Sequence, residues 1–331
     1  MALHWRQIQR DNFTEVKKLL VFLELEEKNQ EVIDQRSQFP LNLPLRLAQK
    51  IEKNNILDPV FLQFVPLKQE QIKTQGFCSD PVGDELVLKT PKLLHKYQGR
   101  ALLVLTSHCV MNCRFCFRQH FPYEKKLSLF EEELRCIKED PSIEEVILSG
   151  GDPLSLPDYR LEELLKSLSV IPHVKKIRFH TRFPLGIPER LDTSFLTLIA
   201  SLPTQIVFVI HVNHVNELDD DILLALKRVQ KIGIPVLSQT VLLKGVNDTI
   251  SSLKELFSCL TNHGIIPYYL HQLDRVQGGA HFEVSEETGL HLISELKKCL
   301  PGYAVPKYVQ EIKGHTSKTE ILAPSTSFPV V

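Results

Sequence analysis

Six short apolar runs rich in β-branched residues alternate with amphipathic stretches along most of this 331-residue chain. Each repeat is about thirty residues long, the length of a strand, a crossover helix and the turns between them. Strands buried on both faces and separated by helices predict a parallel sheet. We therefore predict an α/β fold built as a partial (β/α)6 TIM-like barrel, with its chemistry at the carboxyl ends of the strands. The runs begin at Ala101, Glu144, Lys175, Thr204, Ile234 and Ile265.

The first hundred residues predict helices rather than strands. Residues 12–30 have the apolar spacing of a surface helix, and the prolines of residues 37–54 precede a second helical pattern. A hydrophobic content of 43% suffices for one large domain or two smaller ones. We divide the chain into a helical N-terminal region of residues 1–95, a (β/α)6 core of residues 96–300 and a C-terminal segment of residues 301–331.

Charge and the N-terminal sequence exclude several classes of protein. The net charge is −1 at pH 7, which argues against a general nucleic-acid-binding surface. The sequence MALHWRQIQRDNF has no signal pattern, and no apolar run approaches the length of a membrane span. We therefore expect a cytoplasmic protein that contacts neither membrane nor nucleic acid directly. The odd number of cysteines, seven, argues against a disulfide framework.

Three cysteines, Cys109, Cys113 and Cys116, fall in one short segment directly after the first predicted strand. Soft thiolates select zinc, copper or iron–sulfur clusters. A structural zinc site needs a fourth ligand, which His108 or His120 could supply, so zinc stays open. A [4Fe–4S] cluster with three cysteine ligands has one iron open for a substrate or cofactor.

This C-x3-C-x2-C loop resembles the cluster motif of the radical S-adenosylmethionine enzymes. In that superfamily the open iron binds the amino and carboxylate groups of S-adenosylmethionine, and one electron from the cluster releases a 5′-deoxyadenosyl radical. The resemblance implies a [4Fe–4S] cluster on the three cysteines. A second segment, ILSGGDP, carries Gly150, Gly151 and Asp152 at the end of the second predicted strand. Alone the two glycines indicate a tight turn; the resemblance implies that this segment binds S-adenosylmethionine.

Further segments narrow the resemblance to the lysine 2,3-aminomutase family, and most closely to its short bacterial form, which supplies (R)-β-lysine for modifying elongation factor P. This resemblance implies a second cofactor, pyridoxal 5′-phosphate, and transfer of the α-amino group of L-lysine to the β-carbon. It also implies an electron donor of the flavodoxin or ferredoxin type, and a functional link to elongation factor P and its lysyl ligase. The matching segments run from about Gly76 to Thr319 and include HKYQGRALLVLTSHC, HVNHVNE, QTVLLKGVND, PYYLHQLDRVQGGAHF and GYAVPKYVQEIKGHTSKT.

The resemblance also implies which residues hold pyridoxal phosphate. Lys318 matches the lysine that forms the internal Schiff base, and Lys313 is a weaker rival. Arg100 and Lys96 match the two cations that bind the phosphate, since a guanidinium fork suits phosphate oxygens and a lysine adds a point charge. Gln239 matches a residue of the pyridoxal pocket. Without the resemblance, each of these lysines and arginines would be interpreted as a surface charge.

The substrate-binding residues follow from the same resemblance. Arg118 matches the arginine that binds the lysine carboxylate, while Asp274 and Glu311 match the two acids that bind its ε-ammonium group. Buried carboxylates would reject substrates that lack this cation. Glu311 is an aspartate in the longer aminomutases, so its extra methylene shortens the pocket. His211 matches a residue that contacts S-adenosylmethionine.

The chain differs from the longer aminomutases at its C-terminal end, and two alternative functions stay open. Longer clostridial-type aminomutases have a C-terminal cysteine cluster that binds zinc between subunits, whereas ILAPSTSFPVV lacks one. We therefore expect no zinc at this end, do not transfer the tetramer, and expect a homodimer. One alternative is a radical enzyme without pyridoxal phosphate that acts on another amino acid, a peptide or RNA. The other is a non-enzymatic module that binds zinc or a cluster.

Overall fold

A computed structural model of the chain describes residues 4–123 and 130–323, so the outer ends of the predicted N- and C-terminal parts lie outside the described residues. Ten strands form one sheet, and their order along the sheet is their order in the chain. From β3 to β9 all neighbours are parallel, while the pairs at the two edges are antiparallel. The strands are β1 (Leu88–Thr90), β2 (Leu93–Tyr97), β3 (Arg100–Val104), β4 (Glu145–Ser149), β5 (Lys176–Thr181), β6 (Gln205–His211), β7 (Val236–Val241), β8 (Ile266–His271), β9 (Lys307–Gln310) and β10 (Thr319–Glu320).

Helices precede the sheet and cross over between its parallel strands. None of those in the described part of the chain combines the length and the hydropathy that a bilayer crossing requires. The α-helices are α1 (Trp5–Ile8), α2 (Val16–Phe22), α3 (Glu27–Gln30), α4 (Leu45–Ala48), α5 (Pro59–Phe64), α6 (Glu131–Glu139), α7 (Asp158–Ser169), α8 (Phe183–Gly186), α9 (Thr193–Ser201), α10 (Asp220–Lys231), α11 (Ile250–Asn262) and α12 (Glu286–Cys299).

The six predicted strands correspond to β3 through β8, and the predicted α/β fold is confirmed by the parallel sheet with its crossover helices. Their central residues are apolar because they pack on neighbouring strands and helices at once. Phe179 of β5 is fully buried and stacks on Phe208 of β6, with 4.9 Å between the ring centroids. The sheet does not close within the described ranges, since β1 and β10 form its two edges. The barrel is therefore partial, as predicted.

The predicted surface helix over residues 12–30 is wrong in its length. Helix α2 ends at Phe22, and Glu24 then adopts a φ of 55° in the left-handed region, which a continuous helix does not allow. The Asn54 side chain accepts a hydrogen bond from the Glu26 backbone N–H at 3.0 Å, which holds the chain in this turn before α3 begins. The amphipathic spacing continues past Phe22, but the tertiary contact with Asn54 determines where the helix ends.

The edge strands β1, β2, β9 and β10 were not predicted. Strand β2 forms a hairpin with β3 through Gly99, whose φ is 78°, and strand β9 adds a seventh parallel strand. These additions determine the geometry of the site, because β2 carries Lys96 and β10 begins directly after Lys318. Both lysines thereby line the same pocket.

Candidate active site

A pocket opens at the carboxyl ends of the parallel strands, where a barrel fold places its chemistry. Every residue predicted to bind a cofactor, metal or substrate lines this one pocket, although these residues come from distant parts of the chain. They are Lys96, Arg100, Cys109, Cys113, Cys116, Arg118, Gly150, Gly151, Asp152, His211, Gln239, Asp274, Glu311 and Lys318. The weaker rival, Lys313, is exposed and is not among the residues that line it.

The cysteine loop follows β3 and is fixed by hydrogen bonds to the N-terminal helical region. The Asn42 side-chain amide donates to the Cys109 carbonyl at 3.0 Å, and the Arg114 backbone N–H donates to the Gln63 carbonyl at 2.9 Å. The Arg114 side chain is almost fully buried and forms an ion pair with Glu70. The N-terminal region therefore holds the loop in place, a function that the sequence analysis did not assign to it.

The three cysteine thiols are free and half-buried. Burial raises the pKa of Cys116 to about 11 and that of Cys109 well above its usual range, with nearby negative charge adding to the effect. Within the described ranges, no three His, Cys, Asp or Glu side chains converge on one point where a single ion could bind. Three cysteine thiolates suit an iron–sulfur cluster, in which each would bind a different iron atom.

The Gly150–Gly151 turn packs directly against the cysteine loop. Gly150 has a φ of 117°, which side chains rarely adopt. A Cβ atom on Gly151 would overlap the backbone carbonyl of His108 and lie 2.8 Å from the carbonyl carbon of Ser107. The Gly151 N–H donates to the Thr106 carbonyl at 2.6 Å. Both glycines are thus required by close backbone approach between the ends of β3 and β4.

The Asp152 carboxylate is buried, and burial raises its pKa to about 6. It accepts hydrogen bonds from the Thr181 hydroxyl at 2.8 Å and 2.9 Å, from the Leu154 N–H at 3.0 Å, and from the Arg182 and Phe183 N–H groups at 2.7 Å and 3.0 Å. Both oxygens are therefore engaged within the protein. The side chain joins the segments that follow β4 and β5.

Three histidines at strand ends present unpartnered nitrogen atoms to the pocket. His180 of β5, His211 of β6 and His271 of β8 all line it, and the Nε2 atom of each is buried with no hydrogen-bond partner in the described part of the chain. Burial, with Arg182 nearby, lowers the pKa of His211 to about 3, so its ring is neutral. Buried polar atoms are normally satisfied, and three together indicate a pocket that takes a polar ligand. The sequence analysis missed His180 and His271.

At the opposite end of the pocket, the Glu311 carboxylate lies among cations. It accepts a hydrogen bond from Lys318 Nζ at 2.9 Å, forms an ion pair with Lys96, and accepts a hydrogen bond from the Tyr97 hydroxyl. Burial opposes ionisation of Glu311, but Lys318 and Lys96 outweigh it and lower its pKa to about 2. Glu311 is therefore ionised at every physiological pH, and Tyr97 is a further residue that sequence reasoning missed.

Arg118 is buried and held by two partners. Its Nε donates to the Asp84 carboxylate at 2.8 Å and its Nη1 donates to the Ser149 hydroxyl at 3.1 Å.

The second acid predicted at this end, Asp274, has its pKa raised to about 7 by burial, with Glu311 adding to the effect and Lys318 opposing it. The pocket thus contains two acids that titrate far apart.

Comparison with known proteins agrees with this geometry. The family model of the Radical SAM superfamily matches residues 103–257. The chain is 40% identical over 320 residues to an L-lysine 2,3-aminomutase of Haemophilus influenzae, covering 96% of this chain and 95% of that protein. It is 40% identical over 286 residues to an L-lysine 2,3-aminomutase of Escherichia coli, covering 86% and 83%. At these identities over nearly full length, the chain belongs to the L-lysine 2,3-aminomutase family of the radical SAM superfamily.

Proposed function

We propose that this enzyme moves the α-amino group of L-lysine to the β-carbon and releases (R)-β-lysine. The observation that carries the proposal is one pocket with three cysteines beside a Gly-Gly turn at one end and Lys318 paired with Glu311 at the other. When bound, the cluster with S-adenosylmethionine would supply a radical, and pyridoxal phosphate would carry the migrating nitrogen. Because the family consists of isomerases, the chain is an enzyme, and the non-enzymatic alternative is excluded.

Cys109, Cys113 and Cys116 would bind the cluster, and the backbone of Gly150 and Gly151 would accommodate the amino-acid part of S-adenosylmethionine. Asp152 supports this assignment indirectly, since its carboxylate is fully engaged in fixing the two strand ends. The neutral His211 ring can donate or accept a hydrogen bond but carries no charge that would repel the sulfonium of the cofactor.

Lys318 would hold pyridoxal phosphate through its amine, with Arg100 and Lys96 at the phosphate and Gln239 nearby. Arg100 lies 4.7 Å from the Tyr97 ring centroid, so an aromatic face supports its guanidinium. Lys96 is already paired with Glu311, so a bound phosphate would compete with this carboxylate for the ammonium group. The cofactor phosphate and Glu311 are thereby coupled through one side chain.

The substrate would be held at both ends. The ion pair with Asp84 holds the Arg118 side chain in one orientation. Its planar guanidinium group suits the planar carboxylate of the substrate. Asp274 and Glu311 would receive the ε-ammonium group, whose positive charge offsets the cost of ionising Asp274 in a buried position. These contacts support an α-amino acid with a distant cation as the substrate class.

The remaining parts of the proposal rest on the family alone. They are a reducing partner of the flavodoxin or ferredoxin type, delivery of β-lysine to elongation factor P through its ligase, a cytoplasmic location and a homodimer. The division at residues 95 and 300 also stays a proposal.

The decisive test is an anaerobic assay of the purified protein reconstituted with iron, sulfide and pyridoxal phosphate. We expect β-lysine from L-lysine only when S-adenosylmethionine and dithionite are also present. Deoxyadenosine without β-lysine would retain the radical chemistry and contradict the substrate. If protein with an intact cluster formed neither deoxyadenosine nor β-lysine, the proposal would be overturned.

A further inference from the structure

We propose that Arg182 is a positioning residue for the cluster: it donates a hydrogen bond to the sulfur of Cys113 and raises the reduction potential of the cluster bound there. The inference rests on the proposed role of Cys113 as a cluster ligand. No motif in the sequence analysis pointed to Arg182, which directly follows β5 and lies 69 residues after Cys113 in the chain.

The contact is direct. Arg182 Nη1 lies 2.8 Å from Cys113 Sγ, within hydrogen-bond distance for sulfur. The Arg182 side chain is only 6% exposed, so water does not compete for the donor. Its Nε–H is also buried and lacks an acceptor among the described residues.

A buried network fixes the guanidinium in this position. Arg182 Nη2 donates to Glu217 Oε2 at 2.5 Å and to Gln63 Oε1 at 2.6 Å. Glu217 is fully buried, and its other oxygen accepts from the backbone N–H groups of Asn213 and His214 at 2.8 Å and 2.9 Å. The carboxylate cannot turn away, so neither can the arginine that it holds.

Packing and backbone contacts restrict Arg182 further. The guanidinium carbon lies 4.8 Å from the ring centroid of Phe64 and 5.5 Å from that of Phe115. The Arg182 backbone N–H donates to Asp152, as described above. The side chain is therefore held from its backbone to its tip, and it presents one N–H group to the thiol.

This geometry has a defined electrostatic effect. Reduction transfers one electron from an external reductant to the cluster, adds one negative charge and breaks no bond. A buried N–H donor on a ligating sulfur stabilises the more negative state, and hydrogen bonds to sulfur are among the determinants of cluster potentials. Arg182 therefore makes the cluster easier to reduce.

The test is an EPR-monitored redox titration of the reconstituted enzyme without S-adenosylmethionine. We expect Arg182→Met to lower the equilibrium constant for reduction at least tenfold, which is about 59 mV for a one-electron couple. Arg182→Lys, which keeps the charge and a donor, should recover part of the shift. Arg178→Met is the matched control: Arg178 lies on β5, lines the same pocket and pairs with Glu145, without a hydrogen bond to a cysteine in the described part of the chain.

The inference is overturned if Arg182→Met retains its iron and sulfide and its cluster has the same reduction potential as that of the wild type. An equal shift in Arg178→Met overturns it as well, because it would indicate a general charge effect. If the single variant does not accumulate as folded protein, Arg182→Met combined with Glu217→Gln removes both buried charges and decides the question by the same titration. Wild-type protein that takes up no cluster would instead contradict the proposed function.

Discussion

Lys318 Nζ lies 2.9 Å from the carboxylate of Glu311, seven positions earlier in the chain. The segment after β9 therefore brings the proposed pyridoxal lysine and one of the proposed ammonium-binding acids into contact. The two acids at this end differ sharply, since the pKa of Glu311 is about 2 and that of Asp274 is about 7. One is permanently charged, and the other titrates near neutrality.

The kcat/KM for L-lysine should rise with pH through about 7, because only ionised Asp274 attracts the ε-ammonium group. Asp274→Asn should remove this limb of the profile and lower kcat/KM roughly 10- to 100-fold, the effect of losing one hydrogen bond to a charged group. The profile is measured between pH 6 and 8.5, where the lysine side chain stays protonated. An unchanged limb in the variant would assign the titration to another group.

Glu311→Gln should destabilise the protein by about 3 kcal/mol, because two largely buried cations lose their carboxylate. A carboxyl group with a lowered pKa stabilises the fold fully above its ordinary pKa of about 4.5 and loses that effect as the pH falls towards 2. The contribution of Glu311 itself should therefore be complete at pH 6, where the comparison is made below the range in which Asp274 titrates. Urea unfolding measures it, with exposed Glu320→Gln as the control that should behave like wild type.

Borohydride treatment of the protein loaded with pyridoxal phosphate should attach a stable pyridoxyl group to Lys318. Lys318→Ala should abolish both this label and β-lysine formation while the iron content stays unchanged. Lys313→Ala is the matched control, since this lysine is five positions away and exposed. Peptide mapping identifies the labelled residue. A pyridoxyl label that is lost in Lys313→Ala and retained in Lys318→Ala would assign the Schiff base to Lys313 instead.

Gly151→Ala should displace the cysteine loop, because the added methyl group meets the backbone of Ser107 and His108 rather than a flexible side chain. Overpacking of this kind costs about 1–3 kcal/mol, and we expect loss of most of the bound iron. Gly302→Ala places its methyl group in open space and should retain wild-type iron. Normal iron content in Gly151→Ala would show that the loop can yield without losing the cluster.

The central strands could be predicted from the sequence because burial on both faces requires continuous apolar runs. The edge strands could not, since β1 has three residues, LKT, and β10 has two, and such segments have no periodicity. Their existence depends on antiparallel pairing with β2 and β9 and not on an apolar pattern of their own. The same is true of the turn that ends α2, where Asn54 acts from a distant part of the chain.

Some residues of the candidate site could be predicted from the sequence and others could not. Cys113 and Gly151 belong to local motifs whose spacing is visible in the sequence, and Lys318 was found through a family pattern. Arg182 lies outside every matching segment, and His271 lies inside one but was assigned no role. They are single polar residues at strand ends, and only strand register and burial reveal that they face the pocket.

The sheet adds its strands in chain order, so each new strand pairs with the one synthesised just before it. Such a sheet can grow progressively during translation, without waiting for distant partners. The cysteine loop leaves the ribosome about two hundred residues before Lys318. The half of the pocket that carries the thiols is therefore built first, and the half that carries the lysine is built last. A nascent chain stalled between these points would hold the cysteines without the other side of the pocket.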